Sequence, residues 1–109
     1  LACDKTNILE SPAYMFAIIN YILMNKGTHM TVMMPYSDRL KYMSDWFCQL
    51  WGESLGKRYD NDGKDIHGGM TPIKALGVTD QHSQLQLYAE GPYDKLVIFL
   101  KNERFNNRW

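Results

Sequence analysis

Two short runs constrain most of what this chain can fold into. Met30-Thr31-Val32-Met33-Met34, stopped by Pro35, and Leu96-Val97-Ile98-Phe99-Leu100 show no alternation of apolar and polar residues. A strand with one wet face alternates with a period of two. An unbroken apolar run of this length therefore reads as a strand buried on both faces, as in a parallel sheet covered by helices. The rest of the sequence supplies such helices. Ser11-Pro12 reads as an N-cap with proline at the first helical position, and Gly27 closes the segment Ala13 to Lys26 behind a terminal lysine. Between those ends almost no polar face remains, so this helix is expected to be buried among other elements. Ser37 can cap a second helix over roughly Asp38 to Trp51, with Asp38 at its positive end. Its polar positions Asp38, Lys41, Asp45 and Cys48 form one narrow stripe. Leu40, Met43, Phe47, Leu50 and Trp51 lie on one apolar flank, and Tyr42 and Trp46 lie on another. Thr79 or Asp80 can cap a third helix from about Gln81 to Glu90, ended by Gly91 and Pro92.

The order helix, strand, helix, loop, helix, strand predicts an α/β fold, a three-layer αβα sandwich with a parallel sheet. At 109 residues the chain is long enough for one hydrophobic core and too short for two. Two clear strands are few for a sheet of this type, and the second helix has apolar residues on most of its circumference. One of its flanks is expected to meet another domain or subunit. The chain, which opens Leu1-Ala2-Cys3-Asp4, reads as the beginning of a domain cut from a longer protein. Met70 to Leu76 is expected to be a short extended segment. Lys57 to Gly69, rich in charge and glycine, reads as an exposed loop with a turn at Asp62-Gly63, and Lys101 to Trp109 as a polar tail.

Composition narrows the function classes. Apolar residues at 45% and charged residues at 22% fit a folded chain and exclude disorder. A formal net charge of zero removes the field that draws basic proteins to nucleic acid or to an anionic membrane, so neither partner is expected. No apolar run approaches the roughly 18 to 20 residues of a membrane helix. Cys3 and Cys48 read as two free thiols in a reducing cytosol, with a disulfide or a reactive thiol as the alternative. His29 and His67 have no partner at ligand spacing, so no metal is expected. Lys57, Arg58 and Lys64 are interleaved with Asp60, Asp62 and Asp65, which suits a solvated loop better than an anion patch.

Two segments carry candidate chemistry. In Gly52-Glu53-Ser54-Leu55-Gly56-Lys57 a carboxylate leaves a buried helix between glycines. Partial burial there would raise its pKa toward the range where a general base works best. A solvated glutamate beside a glycine helix stop is the plain alternative. In Thr79-Asp80-Gln81-His82-Ser83 a histidine falls in the first turn of a helix, where the helix dipole disfavours the imidazolium form. A hydrogen-bonded surface histidine is the alternative here, and Asp80 opposes the dipole. P-loop spacing, a nucleophile elbow and a dinucleotide fingerprint are all absent from the sequence.

Taken together, Asp45-Trp46-Phe47, Gln49-Leu50-Trp51-Gly52-Glu53-Ser54-Leu55-Gly56-Lys57 and Thr79-Asp80-Gln81-His82-Ser83-Gln84 with Glu90-Gly91 resemble the glucose-6-phosphate isomerase family of the bacterial type. The likeness runs from about Ser11 to Leu100 and includes Asn25-Lys26-Gly27 and Pro35-Tyr36-Ser37. It implies an enzyme several times longer, built of two sugar-isomerase (SIS) α/β sandwich domains. Residues 1–28 would be the helix leading in, and 29–109 the start of the second such domain. The resemblance implies an aldose–ketose isomerase that interconverts glucose 6-phosphate and fructose 6-phosphate in glycolysis and gluconeogenesis. It implies a cytoplasmic homodimer without cofactor or metal. Glu53 would shuttle a proton between C1 and C2 through a cis-enediol, and His82 would help to open the sugar ring in the partner subunit's site. The family's Ser/Thr-rich phosphate loop, its Gly-Arg segment and its late lysine have no match in this chain, and the segment Lys57 to Gly69 reads as longer than the equivalent loop in some relatives. A domain that binds sugar phosphate without catalysis is the alternative.

Overall fold

The computed structural model describes residues 7–104. Cys3 and the tail beyond Arg104 lie outside the described residues. After a short 3-10 turn at Ile8–Glu10 come helix α1 (Pro12–Asn25), strand β1 (Met30–Pro35), a second 3-10 turn (Asp38–Leu40) and helix α2 (Lys41–Leu55). A hairpin β2 (Lys57–Tyr59) and β3 (Asp65–Gly68) follows, then β4 (Thr71–Lys74), helix α3 (Gly77–Glu90) and β5 (Lys95–Leu100).

Strands β4, β1 and β5 form one parallel sheet in that order, with β1 in the middle. The register pairs Val32 with Ile73 and Val97, and Met33 with Lys74 and Ile98. Strand side chains alternate between faces. Val32, Met34, Ile73 and Val97 thus share one face, where they pack with Ala75 and with Tyr88 of α3. Thr31 and Met33 point to the other face. There Asn20 of α1 accepts a hydrogen bond from Thr31 Oγ1 at 3.4 Å, and Asp45 of α2 pairs with Lys74. Helices therefore cover both faces, with α1 and α2 on one and α3 on the other, and the two-sided burial of β1 follows. Val32 and Thr31 are fully buried.

Helix α1 ends where the sequence says it should. Ser11 accepts from Tyr14 N, Pro12 is the first helical residue, and Gly27 takes φ 97°. The amides of Gly27 and Thr28 then close on the carbonyls of Met24 and Leu23, the glycine stop that satisfies orphan carbonyls. Its burial differs from expectation. Only Asn20 is buried in α1, and Tyr21, for instance, is 65% exposed. Among the described residues nothing covers the outer side of α1, so its apolar circumference is open.

Helix α2 begins later and ends later than its sequence suggests. Asp38–Leu40 turn as 3-10, the Ser37 side chain makes no capping bond, and the α-helix runs on through Gly52 and Glu53 to Leu55. Gly52 does not break the helix, because a helical backbone costs a glycine only about 1 kcal/mol and tertiary contacts override it. Phe47 is buried, and Trp51 packs between Phe16 of α1 and Phe47 at ring distances of 6.0 and 5.0 Å. Helix α3 also starts earlier than expected, at Gly77. Asp80 caps it from inside, its Oδ2 accepting from Leu76 N at 2.6 Å.

Residues 57–69 are a hairpin, not an open loop. Asp60 accepts from the amides of both Asp62 and Lys64, Gly63 takes φ 79°, and Arg58 pairs with Asp65 across the strands at 2.8 Å. Every side chain of β2 is exposed, so the apolar alternation that reveals a strand is missing.

The start of β5 is tied to β1 by Asp94, whose carbonyl accepts from His29 N and Met30 N at 2.8 and 3.1 Å. Its carboxylate pairs with the Lys95 ammonium, whose side chain is only 8% exposed. That hydrogen bond from Lys95 holds the Asp94 carboxyl below its ordinary range, with smaller help from His29. A depressed carboxylate pKa adds stability that is present above the unfolded value near ~4 and is lost as pH falls through the folded value. The denaturant midpoint is expected to fall as pH drops from ~5 to ~3, and Asp94→Asn to flatten that decline. A slope unchanged by Asp94→Asn would remove the pair from the account.

Candidate active site

In a parallel α/β unit the helix after a strand starts at the sheet's C-terminal edge and runs back to its N-terminal edge. This polarity decides where the two candidate groups lie. Helix α2 follows β1, so Glu53, near its end, is at the N-terminal edge. One bond shows this directly: Trp51, two residues before Glu53, donates its indole N–H to the carbonyl of Met70, just before β4, at 3.0 Å. Helix α3 follows β4, so its first turns are at the C-terminal edge. There Tyr36, just past the end of β1, donates from Oη to Gln81 Oε1 at 3.1 Å, and His82 is the next residue. Glu53 and His82 are therefore at opposite edges of the sheet and on opposite faces. The length of α2 sets that separation at roughly 20 Å. Within one chain the two do not form a common site.

Glu53 is exposed in this chain, so the partial burial expected for it is not supplied by the described residues. Its Oε1 accepts from Gln49 Nε2, one turn earlier, at 3.4 Å. Tyr42, Trp46, Gln49 and Glu53 follow one another at spacings of four, three and four, so they share one stripe of the helix. That stripe faces away from the sheet, with Tyr42 73% and Trp46 57% exposed. At its N-terminal end is a shallow hollow of about 350 Å³ between Arg39, Leu40, Tyr42, Met43 and Trp46. The carboxylate thus stands at one end of an open aromatic face. Sequence spacing is enough to show this alignment once α2 is known to run past Trp51.

His82 is the sixth residue of α3, beyond the first turn in which the end dipole acts. It is exposed. Cys48, the one cysteine among the described residues, is free, and burial followed by the Asp45 carboxylate pushes its thiol up. That direction opposes thiolate formation and argues against a reactive thiol at this position. Lys74 is pushed up as well, chiefly by its hydrogen bond to Asp45. No helix is long and apolar enough to cross a membrane, among the described residues.

The element order and the two-faced sheet define a parallel α/β unit of the αβα type, with one acid–base candidate at each sheet edge. It superimposes on the crystal structure of a hypothetical protein from Thermus thermophilus with a TM-score of 0.76 and 39% sequence identity. The match covers 86% of this chain and 21% of that one. No family model matches the chain. It is 58% identical over 106 residues to the glucose-6-phosphate isomerase of Carboxydothermus hydrogenoformans, which is 97% of this chain and 23% of that protein. To the glucose-6-phosphate isomerase of Methanocaldococcus jannaschii it is 39% identical over 103 residues. The chain is therefore homologous to one segment of the glucose-6-phosphate isomerases, and it spans about a quarter of their length.

Proposed function

We propose that this chain is the part of a glucose-6-phosphate isomerase that carries the base, Glu53, and the ring-opening histidine, His82. The observation that carries the reading is the 58% identity to such an enzyme over 97% of the chain. Residues 1–28 lead into the second sugar-isomerase domain, and residues 29–109 begin it. The substrate is a hexose 6-phosphate, the reaction belongs to glycolysis and gluconeogenesis, and the enzyme works in the cytoplasm as a homodimer. The chemistry needs only side chains of this kind. A carboxylate takes the proton from C2 of the open-chain sugar, a cis-enediol forms, and the same carboxyl returns the proton to C1. A separate group must handle the ring oxygen first, and His82 does so. The phosphate-binding groups are contributed by other parts of the enzyme.

The position of Glu53 and His82 at opposite edges supports a further element of this reading: each protomer gives its Glu53 to one site and its His82 to the partner's. Mixing tests it. Glu53→Gln and His82→Ala homodimers are each expected to be impaired in the full-length enzyme. When the two are unfolded and refolded together, half of the dimers are mixed. One site of each mixed dimer then draws both wild-type groups, and about one quarter of wild-type activity returns. Activity that stays at the level of the separate variants would show that Glu53 and His82 do not meet across subunits.

A further inference from the structure

The last turn of a helix needs donors from outside. Its final carbonyls have no partner within the helix, and the end of the dipole places partial negative charge there. In α2 that turn carries Glu53. Its outside donor is Lys57, whose Nζ donates to the Ser54 carbonyl at 2.8 Å and to the Gly56 carbonyl at 3.4 Å. Gly56 N donates in turn to the Gly52 carbonyl. These bonds bracket Glu53 on both sides of the chain.

Lys57 is itself held in place. It opens β2 and pairs with Gly68 of β3, so its Cα belongs to the base of the hairpin. The hairpin returns to the same spot through Gly69, at φ 127°, where a Cβ would stand only 3.2 Å from the Leu55 carbonyl and 3.4 Å from Gly56 Cα. The base of the hairpin is thereby pressed against the end of α2. Two of the three ammonium donors are spent on backbone carbonyls, which sets Lys57 apart from a lysine held ready for a substrate phosphate.

We propose that Lys57 is a positioning residue for Glu53: it keeps the last turn of α2 closed, so that the carboxylate stands fixed over the two carbons between which it carries the proton. The inference rests on the reading of Glu53 as the base. A shift of about 1 Å in a reacting group can cost on the order of 100-fold in rate, so a modest surface bond can have a large kinetic effect.

The test uses the full-length isomerase with Lys57→Met, Lys57→Arg and Glu53→Gln. Lys57→Met is expected to lower kcat by about 10- to 100-fold with KM for the hexose phosphate changed less than about twofold. Lys57→Arg, which can still donate to the same carbonyls, is expected to recover most of the loss. Amide exchange over residues 52–57, read by mass spectrometry, should quicken several-fold in Lys57→Met and return in Lys57→Arg. A KM that rises while kcat holds would make Lys57 a substrate contact and overturn the proposal. So would a Lys57→Met enzyme with wild-type kcat, or one with unchanged exchange over 52–57. If Glu53→Gln is inactive and Lys57→Met is unimpaired, this inference alone fails. If Glu53→Gln is fully active, the base assignment fails and takes the inference with it.

Discussion

Replacing Glu53 by glutamine in the full-length enzyme is expected to lower kcat by roughly 100- to 10,000-fold while KM moves by no more than a few-fold. Glutamine keeps the length and shape of the side chain and can still accept from Gln49 Nε2, so the last turn of α2 should be undisturbed. What it loses is the ability to take a proton. In the role proposed for Glu53, a base acts in the transition state and would contribute little to holding the substrate, so the loss would fall on turnover. A coupled isomerase assay over a range of substrate concentrations separates the two parameters. Activity within a few-fold of wild type would remove Glu53 from the role proposed for it.

The largest structural effect is expected at Gly77. This residue opens α3 directly behind Tyr36, and a Cβ on it would lie 2.5 Å from Tyr36 Cγ and 2.8 Å from Tyr36 Cα. The second of these is backbone, so the clash cannot be relieved by turning the tyrosine ring. The end of β1 and the start of α3 would have to separate, breaking the Tyr36–Gln81 hydrogen bond next to His82. Gly77→Ala is expected to cost about 3 kcal/mol of stability, at the upper end for overpacking a buried site. Gly52→Ala is the contrasting case. A Cβ there meets nothing within 4 Å, and an alanine in a helix is favoured over glycine by up to about 1 kcal/mol. Denaturant unfolding followed by tryptophan fluorescence should move the midpoint down for Gly77→Ala and slightly up for Gly52→Ala. Equal midpoints would mean that the close contact at Tyr36 carries no energetic weight.

The sequence is most legible where local chemistry and burial agree. Ser11-Pro12 and Gly27 mark the ends of α1 to within one residue, and the unbroken apolar runs correspond to β1, which is covered on both faces, and to β5, which is only half-buried, with Phe99 56% exposed. Legibility fails where a signal depends on something outside the segment. The hairpin β2–β3 is exposed, so no apolar period betrays it, and its turn chemistry at Asp60 and Gly63 reads equally well as a loop. The start of α3 is hidden because its cap comes from Asp80 inside the helix and not from a residue before it. The apolar circumference of α1 reads as burial, yet the described residues cover only the side bearing Asn20. Local spacing marks Glu53 and His82 as candidates with a plain alternative for each, and only the resemblance favours the chemical reading, since both are exposed in this chain. Their separation across the sheet comes from chain polarity, which spacing alone does not reveal.

The hairpin has one more consequence. Its base, at Lys57 and Gly69, is pressed against α2, while its tip, at Asp60 to Lys64, is closed by its own bonds: the Asp60 carboxylate accepts from Asp62 N and Lys64 N, Asp60 N donates to the Lys64 carbonyl, and Gly63 N donates to the Asp60 carbonyl. Lengthening a loop costs little, about 0.6 kcal/mol for each doubling. The tip is therefore a natural docking point for a grafted epitope or a fluorescent label, placed on the chain without touching the sheet that orients everything else.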